Sequence, residues 1–400
     1  MKLKDVIECY ISGDWGNEAP TERENIAVSC IRGADIMPIR NYNFSEIPTR
    51  YISAVSLASK VLKEGDIVIE KSGGSPTQST GRVVYVSKEL LQEKKNIVCT
   101  NFCIAVRIKK EWDPFYIYNY LLFVYDLGVF FNFEGKTSGL KNLDTERAFD
   151  AIPIHKIDID EQRTIASAIR SIEDKIAINT SLCNRLEQSI CDIYNYYFNN
   201  TQISHEGWSI KRLGDIADIM NGATPDTSSS VNYGGDIVWI TPKDLSDQNC
   251  KFVYYGERNI TQEGYDSCST KLLPAWSILM SSRAPIGLLS ISMVEVCTNQ
   301  GFKSFILKDT ELVPYMYYYL KYNIKSIEQL GSGTTFKEVS RDSMVKYEVL
   351  LPTSTQISIF NEAVLPIFKE QFSIIRETDK LKREKQHILP LIMNGQAKIL

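Results

Sequence analysis

The sequence has 400 residues, of which 44% are hydrophobic and 24% charged, a balance typical of globular proteins that excludes a mainly disordered chain. The length predicts two or three domains. The net charge of −4 argues against a protein that holds nucleic acid through bulk positive charge, although it leaves room for local basic grooves. No apolar run reaches the ~18–20 residues of a membrane span, and residues 1–5 do not open a secretory signal. We therefore expect a cytoplasmic protein.

The metal-ligating residue types are sparse and scattered. The nine cysteines form no C-x-x-C pair, and the three histidines, His155, His205 and His387, lie far apart in the sequence. A disulfide framework or a structural zinc site is therefore not expected, and reduced, buried thiols are the default. We expect no metal and no cofactor in this chain.

Similar segments recur in the same order in the two halves of the chain, about 200 residues apart, which indicates an internal duplication. Residues 3–7 resemble 213–217, residues 66–69 resemble 277–280, and the segment 98–101 (VCTN) recurs at 296–299. A tyrosine-rich segment at 114–121 recurs at 314–320, and 135–141 (GKTSGLK) matches 331–337 (GSGTTFK). Each half is therefore expected to fold in the same way.

Each half begins with about 150 residues of mixed β and α character. Short β-rich runs at 66–70, 82–86, 236–240 and 277–280 are bounded by Gly, Ser and Pro. An aromatic helix follows, with Pro114 or Pro314 in its first turn, and Asp113 is interpreted as an N-cap. The fold class is α+β, with two similar mixed domains.

A long helix ends each half. In the first, apolar residues and one asparagine alternate at spacings of four and three, which is typical of a coiled-coil seam: Ile165, Ile169, Ile172, Ile176, Asn179, Cys183, Leu186, Ile190, Ile193 and Tyr197. The second seam is more polar: Ile367, Gln371, Ile374, Thr378, Leu381, Lys385, Ile388 and Ile392. Pro366 is expected to limit or kink the start of the second helix. A buried amphipathic helix in a compact bundle is the alternative.

The charges of the two helices favour their pairing. Residues 158–198 contain four Lys and Arg against seven Asp and Glu, whereas residues 356–400 contain seven against five. We expect the helices to pair antiparallel, as a rod of about 50 Å if ~35 residues rise 1.5 Å each.

Two basic loops in each half are candidates for binding DNA, because glycine permits close approach and Ser, Lys and Arg can contact phosphates or base edges. The first loop runs over residues 71–82 and is matched by 281–287; the second is matched between 135–141 and 331–341. A solvated hairpin tip with a single charge is the alternative for any one residue. The candidates are Arg32, Lys71, Ser72, Gly73, Gly74, Arg82, Lys136, Lys141, Lys243, Arg283, Lys337 and Arg341.

The chain resembles the DNA-specificity subunit of type I restriction-modification systems over nearly its whole length. The residues that carry the resemblance are 31–36 (IRGADI), 160–165 (DEQRTI), 207–216 (GWSIKRLGDI), 238–245 (VWITPKDL) and 388–395 (ILPLIMNG). It departs from the family at Thr355-Gln356, where Glu-Gln is usual. The resemblance implies target-recognition domains at 1–152 and 206–352, separated by spacer helices at 153–205 and 353–400 that form an antiparallel coiled coil.

The resemblance also implies a function and partners. Each target-recognition domain would read one half of a bipartite site in double-stranded DNA, and the chain itself would be non-catalytic. The helices would fix the gap and dock two methyltransferase (modification) subunits, and restriction subunits would join through them. S-adenosylmethionine, ATP and magnesium are expected on those partners. The residues expected to form the coiled coil and dock partners are Ile165, Ile169, Ile172, Ile176, Asn179, Cys183, Leu186, Ile190, Ile374, Leu381 and Ile388.

Two other function classes stay open on the sequence. One is a self-contained methyltransferase or nuclease, because Asp113-Pro114-Phe115-Tyr116 resembles the acidic motif of adenine methyltransferases. The second half lacks that acid, and no glycine-rich cofactor loop follows a strand. Residues 135–137 (GKT) resemble the end of a phosphate-binding loop, but Phe130 stands at the position of its leading glycine. The other class is a duplicated scaffold that binds protein and reads no DNA.

Overall fold

A computed structural model describes residues 1–73, 78–137, 140–200, 205–248, 250–332 and 337–397. The chain divides into two compact units, which we call the first unit (1–179 with 378–400) and the second unit (180–377). The unit boundary falls inside both long helices, whereas the segments expected from the sequence keep each helix whole. None of the helices in the described ranges combines the length and apolar character that a membrane span requires.

The first half of the chain alternates short strands and helices before its long helix. Its strands are β1 (Ile7–Ser12), β2 (Ile26–Ile31), β3 (Thr49–Ile52), β4 (Ile67–Glu70), β5 (Ser72–Gly73), β6 (Val83–Tyr85), β7 (Ile97–Cys99), β8 (Cys103–Ile108), β9 (Glu134–Thr137) and β10 (Leu140–Leu143). Its helices are α1 (Ile36–Arg40), α2 (Ala54–Lys60), α3 (Lys88–Glu93), α4 (Pro114–Asp126), α5 (Thr145–Ala151) and α6 (Ile159–Tyr194).

The second half repeats this pattern. Its strands are β11 (Ser209–Arg212), β12 (Ala217–Asn221), β13 (Tyr233–Ile237), β14 (Trp239–Ile240), β15 (Phe252–Val253), β16 (Ile278–Ser281), β17 (Leu289–Ser292), β18 (Cys297–Thr298), β19 (Phe302–Leu307) and β20 (Glu348–Leu351). Its helices are α7 (Leu213–Ile216), α8 (Pro242–Gln248), α9 (Gln262–Asp266), α10 (Val313–Tyr322), α11 (Ile324–Gln329), α12 (Arg341–Lys346) and α13 (Ser354–Met393).

The central sheets of the two units have related topologies. In the first unit the order is β1-β8-β4-β6, with all neighbours antiparallel, and β2 lies between antiparallel β3 and parallel β7 in a second sheet. In the second unit the order is β12-β19-β16-β17-β15, and β14 pairs with β18 in parallel. The aromatic helices α4 and α10 belong to the main hydrophobic cores of their units. Asp113 caps α4, as predicted, because its carboxylate accepts bonds from the amides of Phe115 and Tyr116, both 2.9 Å long.

Matching backbone hydrogen bonds confirm the internal duplication. The amide of Leu3 donates to the carbonyl of Ile152 at 2.9 Å, as that of Leu213 does to Tyr347 at 2.8 Å. The carbonyl of Ile31 accepts from Thr100 at 2.9 Å, and its counterpart Ile240 accepts from Asn299 at 3.1 Å. This last pair corrects one alignment by a residue: Thr100 corresponds to Asn299 and not to Thr298, because strand pairing and not letter identity sets the match.

In the first unit, the beginning of α6 packs against the end of α13. Ile165, Ile169 and Ala166 lie in one core cluster with Leu389 and Ile392, and Glu173 pairs with Lys385. Rising numbers on α6 meet falling numbers on α13, so the helices run antiparallel. The predicted seam residues of α6 are buried or half-buried. On α13, the seam position predicted for Ile388 was wrong, because Ile388 is 41% exposed and Leu389 is 6% exposed in its place.

In the second unit, the end of α6 packs against the beginning of α13. Ile190 and Tyr194 share a core with Phe360, Val364 and Phe368, and the side-chain Nε2 of Gln371 donates to the backbone carbonyl of Cys183 at 3.2 Å. The expectation that Pro366 limits the start of the second helix was wrong, because α13 begins at Ser354 and continues through that proline. The apolar contacts of the flanking turns outweigh the one backbone bond that proline removes.

Candidate nucleic-acid interface

The two candidate loops of the first unit come together in a small sheet. Strand β10 pairs antiparallel with both β5 and β9, which sets Lys141 opposite Gly73 and Lys136, and Asn142 opposite Ser72. The Ser72 hydroxyl donates to the Asn142 side chain. Gly74 lies outside the described residues, and so does the side chain of Lys136. The sheet therefore places two segments that are distant in sequence on one edge of the unit.

A buried ion pair supports this edge from beneath. Arg82 donates from Nε and Nη2 to the Glu70 carboxylate at 2.8 and 2.5 Å, and the two side chains are 16% and 3% exposed. A Cβ built on Gly73, at φ +152°, would lie 2.6 Å from Oε1 of Glu70, so the loop approaches the carboxylate closely. The hydrogen bond to Glu70 raises the pKa of Arg82, although burial opposes this shift. Arg82 thus holds the loop instead of projecting toward a ligand.

Lys141 is also engaged within the unit. Its ammonium lies 3.1 Å from Glu134, 3.2 Å from the carbonyl of Gln78 and 4.9 Å from the centroid of the Phe131 ring. Glu134 additionally accepts from the amide and hydroxyl of Thr80, at 2.6 and 2.9 Å. Lys141 therefore joins the two loops and is only partly available to a partner.

The second unit joins its two candidate loops with equivalent backbone bonds. The amide of Val339 donates to the carbonyl of Ser282 at 3.0 Å, as that of Leu143 does to Lys71 at 2.8 Å in the first unit. This match sets Lys337 in correspondence with Lys141, as the sequence alignment predicts. The described parts of the two candidate loops therefore meet in both halves, which the sequence did not predict.

Glu338 is the acidic centre of the second pair of loops. Its carboxylate lies 3.0 Å from Nε of Arg283 and 3.1 Å from the ammonium of Lys303, which is only 6% exposed. Burial would raise the pKa of Glu338, but hydrogen bonds and charges from Lys303 and Arg283 together lower it. Two cations facing one carboxylate leave a local positive excess, in which Arg283 keeps half of its side chain exposed.

The remaining candidates, Arg32, Lys243 and Arg341, each form a side-chain bond within their own unit. Arg32 donates to Asp35 from Nε and Nη2 at 3.0 and 2.8 Å, and to the carbonyl of Glu46 at 3.0 Å. Lys243 forms an exposed ion pair with Glu257 at 2.8 Å. Arg341 opens α12 and donates to the carbonyl of Ile219 at 2.7 Å. The bonds of Arg32 and Arg341 favour structural roles, whereas the pair of Lys243 and Glu257, with side chains 66% and 64% exposed, contributes little to stability.

Lys71 and Lys337 differ from the other candidates. Both are exposed, and within the described ranges neither forms a hydrogen bond or ion pair through its side chain. They flank the joined loops of the first and second unit respectively, since Lys71 precedes β5 and Lys337 precedes Glu338. An exposed, unpaired ammonium on a glycine-rich loop can bind a phosphate without first breaking an internal bond.

Sequence reasoning missed the acids and two arginines. Glu70, Glu134 and Glu338 were not predicted, because the cations that they pair with are distant in sequence. Each unit also stacks an arginine on an aromatic ring: Arg50 lies 3.8 Å from the centroid of Trp15, and Arg258 lies 3.9 Å from that of Tyr233. No spacing in the sequence signals either stack.

A buried polar cluster joins the helix pair of the second unit to its sheet. The ammonium of Lys251 lies 2.6 Å from Glu187, 2.7 Å from the Tyr318 hydroxyl and 2.7 Å from Oε1 of Gln371. It also lies 4.2 Å from the centroid of the Phe368 ring. The polar seam residue Gln371 thus has a buried partner, which explains a break in the apolar pattern of α13.

The charges of this cluster are strongly coupled. Burial would raise the pKa of Glu187, but Lys251 and Lys321, both at 2.6 Å, outweigh burial and lower it to about 2. Burial lowers the pKa of Lys251 to about 8, although Glu187 opposes this shift. At neutral pH the cluster is a charged network whose members depend on one another.

The part of the chain that the structure describes contains no group of three or more His, Cys, Asp or Glu side chains arranged to hold a metal ion. Asp113, the acid of the methyltransferase-like motif, is occupied as a helix cap.

Comparisons with known proteins agree with the duplicated arrangement. A family model described as the type I restriction modification DNA specificity domain matches residues 1–188 and 205–376. The MjaIX specificity subunit of Methanocaldococcus jannaschii is 36% identical over 166 residues, which are 39% of this chain and 38% of that protein. The HindI specificity subunit of Haemophilus influenzae is 31% identical over 193 residues, which are 48% of this chain and 42% of that protein.

These matches cover less than half of each of those relatives. Among solved structures, the type I restriction-modification S subunit from M. genitalium superposes with a TM-score of 0.61 at 13% identity, covering 98% of this chain and 95% of that one. At that identity the likeness concerns the fold alone.

Proposed function

Because the chain belongs to the type I restriction modification DNA specificity family, we propose that it is the subunit that selects the DNA target for a multi-subunit methyltransferase and endonuclease. In this proposal each half reads one part of a bipartite sequence in double-stranded DNA. The domain boundaries expected from the sequence, 1–152 and 206–352 with helices at 153–205 and 353–400, belong to the same proposal.

The observation that carries the proposal is the repeated junction of two loops. In each unit, one backbone bond ties the end of the second loop to the start of the first: Leu143 to Lys71, and Val339 to Ser282. The bond occurs at the same place in the duplicated frame, yet the side chains around it differ. A common backbone arrangement with different side chains suits two domains that each recognise a different half-site.

The charges suit recognition of a polyanion by local contacts. Lys71 and Lys337 would bind phosphates and set the position of each unit, while Arg283 and polar loop residues would reach base edges. The net charge of −4 predicts weak binding by this chain alone, because few counterions would be released. Partner subunits would then contribute much of the positive surface.

The helices would dock those partners. Each unit contains parts of α6 and α13 packed antiparallel, and exposed apolar side chains remain on them, including Ile178, Leu182 and Ile359. Two methyltransferase subunits would bind there, and restriction subunits would join through them. S-adenosylmethionine, ATP and magnesium would belong to the partners, and this chain would perform no chemistry.

Selection from a random library of 40-base-pair duplexes tests the proposal. The full chain, co-purified with the modification subunits of its system, should enrich two short sequence blocks separated by a fixed gap. Enrichment of one contiguous block, or of none, would contradict it. A thermal-shift measurement of the isolated chain with S-adenosylmethionine is expected to give no change, whereas a saturable shift would favour a self-contained methyltransferase.

A further inference from the structure

We propose that Arg258 reads a guanine in the half-site bound by the second unit, an inference that rests on the proposed function. The guanidinium carbon of Arg258 lies 3.9 Å from the centroid of the Tyr233 ring. The residue is exposed, and within the described ranges its guanidinium makes no hydrogen bond or ion pair. The face of the guanidinium is therefore occupied while its N–H edge is free.

The ring beneath Arg258 is held to the body of the unit. The Tyr233 hydroxyl donates to the carbonyl of Pro225 at 2.8 Å, and its ring packs edge-on against Trp239 with centroids 6.0 Å apart. Trp239 is 6% exposed and donates from its indole to the carbonyl of Ala223 at 3.1 Å. A ring fixed in this way limits the rotamers of Arg258, which lowers the entropy lost when the arginine binds a ligand.

A chain of polar contacts connects this platform with the joined loops of the same unit. Thr224, which precedes Pro225, donates to the side chain of Gln300. The next residue, Gly301, accepts at its carbonyl from the amide of Ser282 at 2.7 Å, and Ser282 is followed by Arg283. Arg258 is therefore linked to the proposed DNA-binding loops through a short series of contacts that passes through the buried residues Gly301 and Ser282.

The geometry favours a base edge over a phosphate. A stacked guanidinium presents two parallel N–H groups in a fixed plane, which match O6 and N7 of guanine in the major groove. A phosphate contact would need only a positive charge, which a flexible lysine supplies equally well.

The first unit shows the opposite arrangement. Arg50 lies over Trp15 at 3.8 Å, but its Nη1 is paired with Glu18 at 2.9 Å and its side chain is only 11% exposed. The guanidinium on Trp15 is therefore occupied by an acid, whereas the guanidinium on Tyr233 forms no ion pair within the described residues. We expect the guanine contact in one half-site only.

The test uses duplex selection with the full chain in complex with its modification subunits. Arg258→Lys keeps the positive charge but loses the two parallel N–H donors of the guanidinium, and Arg258→Met loses both. Arg212→Lys is the control, since Arg212 is another exposed arginine of this unit. Arg258→Lys and Arg258→Met should each lower the preference for guanine at one position by roughly 5- to 150-fold and leave the other block unchanged. Tyr233→Leu should weaken the same position less.

Two results would overturn the inference. One is Arg258→Lys with an unchanged base preference, which would indicate a phosphate contact; the other is Arg258→Met that selects the same sequences as the unchanged chain. Thermal unfolding of each variant separates loss of contact from loss of fold. If the unchanged chain selects no bipartite sequence, the proposed function itself fails; if it does and Arg258→Lys matches it, the inference alone fails.

Discussion

The two loop junctions have the same backbone frame but are supported by different chemistry. In both units a glycine amide donates back across the first loop at 2.9 Å, from Gly81 to Glu70 and from Gly287 to Ser281. Beneath the first junction lies the buried pair of Glu70 and Arg82. At the corresponding place the second unit has the Ser281 hydroxyl, which donates to Pro285 at 2.6 Å and accepts from Leu288 at 2.8 Å.

The helix pairs differ in how deeply a charge is buried beside them. In the first unit the contact between α6 and α13 combines Ile165, Ile169, Leu389 and Ile392 with the partly exposed ion pair of Glu173 and Lys385. In the second unit the same two helices enclose the charged cluster around Lys251. The comparison indicates that the duplicated backbone tolerates a charged pair at a position where the other unit has neutral side chains. The backbone hydrogen bonds set the geometry, and the side chains need only fill each other's hydrogen-bonding requirements.

The largest expected effect is at the cluster of the second unit. Glu187→Ala would leave Lys251 buried with only the neutral partners Tyr318 and Gln371. We expect a loss of roughly 3–5 kcal/mol in the free energy of unfolding of this unit, measured by urea titration with hydrogen exchange.

Lys321→Met provides the control, because Lys321 is 42% exposed and also pairs with Glu187. Its removal should cost about 1 kcal/mol or less. Equal losses in the two variants would show that the buried pair has no special role.

An exchange between the two junctions tests whether their supports are equivalent. Leu288, which follows Gly287, corresponds to Arg82, which follows Gly81. Arg82→Leu therefore installs the residue of the second unit and leaves Glu70 buried without its partner, so we expect a loss of roughly 3–5 kcal/mol in the unfolding free energy of the first unit. Adding Glu70→Ser should restore most of it, since the double variant reproduces the neutral pair Ser281 and Leu288. A double variant as unstable as Arg82→Leu would contradict the correspondence.

Two isoleucines on one helix sharpen the seam assignment. Ile169 is 3% exposed and Ile178 is 62% exposed, and both lie on α6 in the first unit. Ile169→Ala should cost roughly 2–5 kcal/mol of unfolding free energy, because it removes buried methylene groups and leaves a cavity. Ile178→Ala should stay within about 0.5 kcal/mol. Similar losses at both positions would refute the seam.

The last expected effect is the contribution of Glu187 to the pH dependence of the second unit. The pKa of Glu187 is lowered from 4.5 to about 2, so the ionised carboxylate stabilises the folded state fully above about pH 4.5. That contribution is lost as the pH falls from about 4.5 toward 2. The unfolding free energy of Glu187→Gln should therefore decrease less over this range than that of the unchanged chain. Parallel pH profiles would contradict the assigned shift.

Local periodicity predicted more of the fold than of the candidate site. The spacing of Ile165, Ile169 and Ile190 identified the buried face of α6, because residues three and four apart in the sequence lie on the same face of a helix. The periodicity failed at Ile388, where the buried side shifts to Leu389. A fixed spacing of four and three residues does not predict such a shift of the buried face.

The candidate site depends on pairs that are remote in sequence. Arg82 and Lys141 read as free cations, but the structure places Glu70 and Glu134 beside them. The polar residue Gln371 interrupts the apolar seam of α13 because its side chain accepts a bond from the buried Lys251. Charge counts along the chain carry no information about such partners, which is why glycine-rich loops were identified and the roles of their charged residues were not.

Exchange of residues 1–152 for the corresponding segment of a relative tests the central claim most directly, with the sequence bound by the assembled complex as the readout. If each half is an independent reader on a common frame, one block of the selected sequence should change, and the other block and the gap between them should stay the same. A change in both blocks, or in neither, would contradict the account.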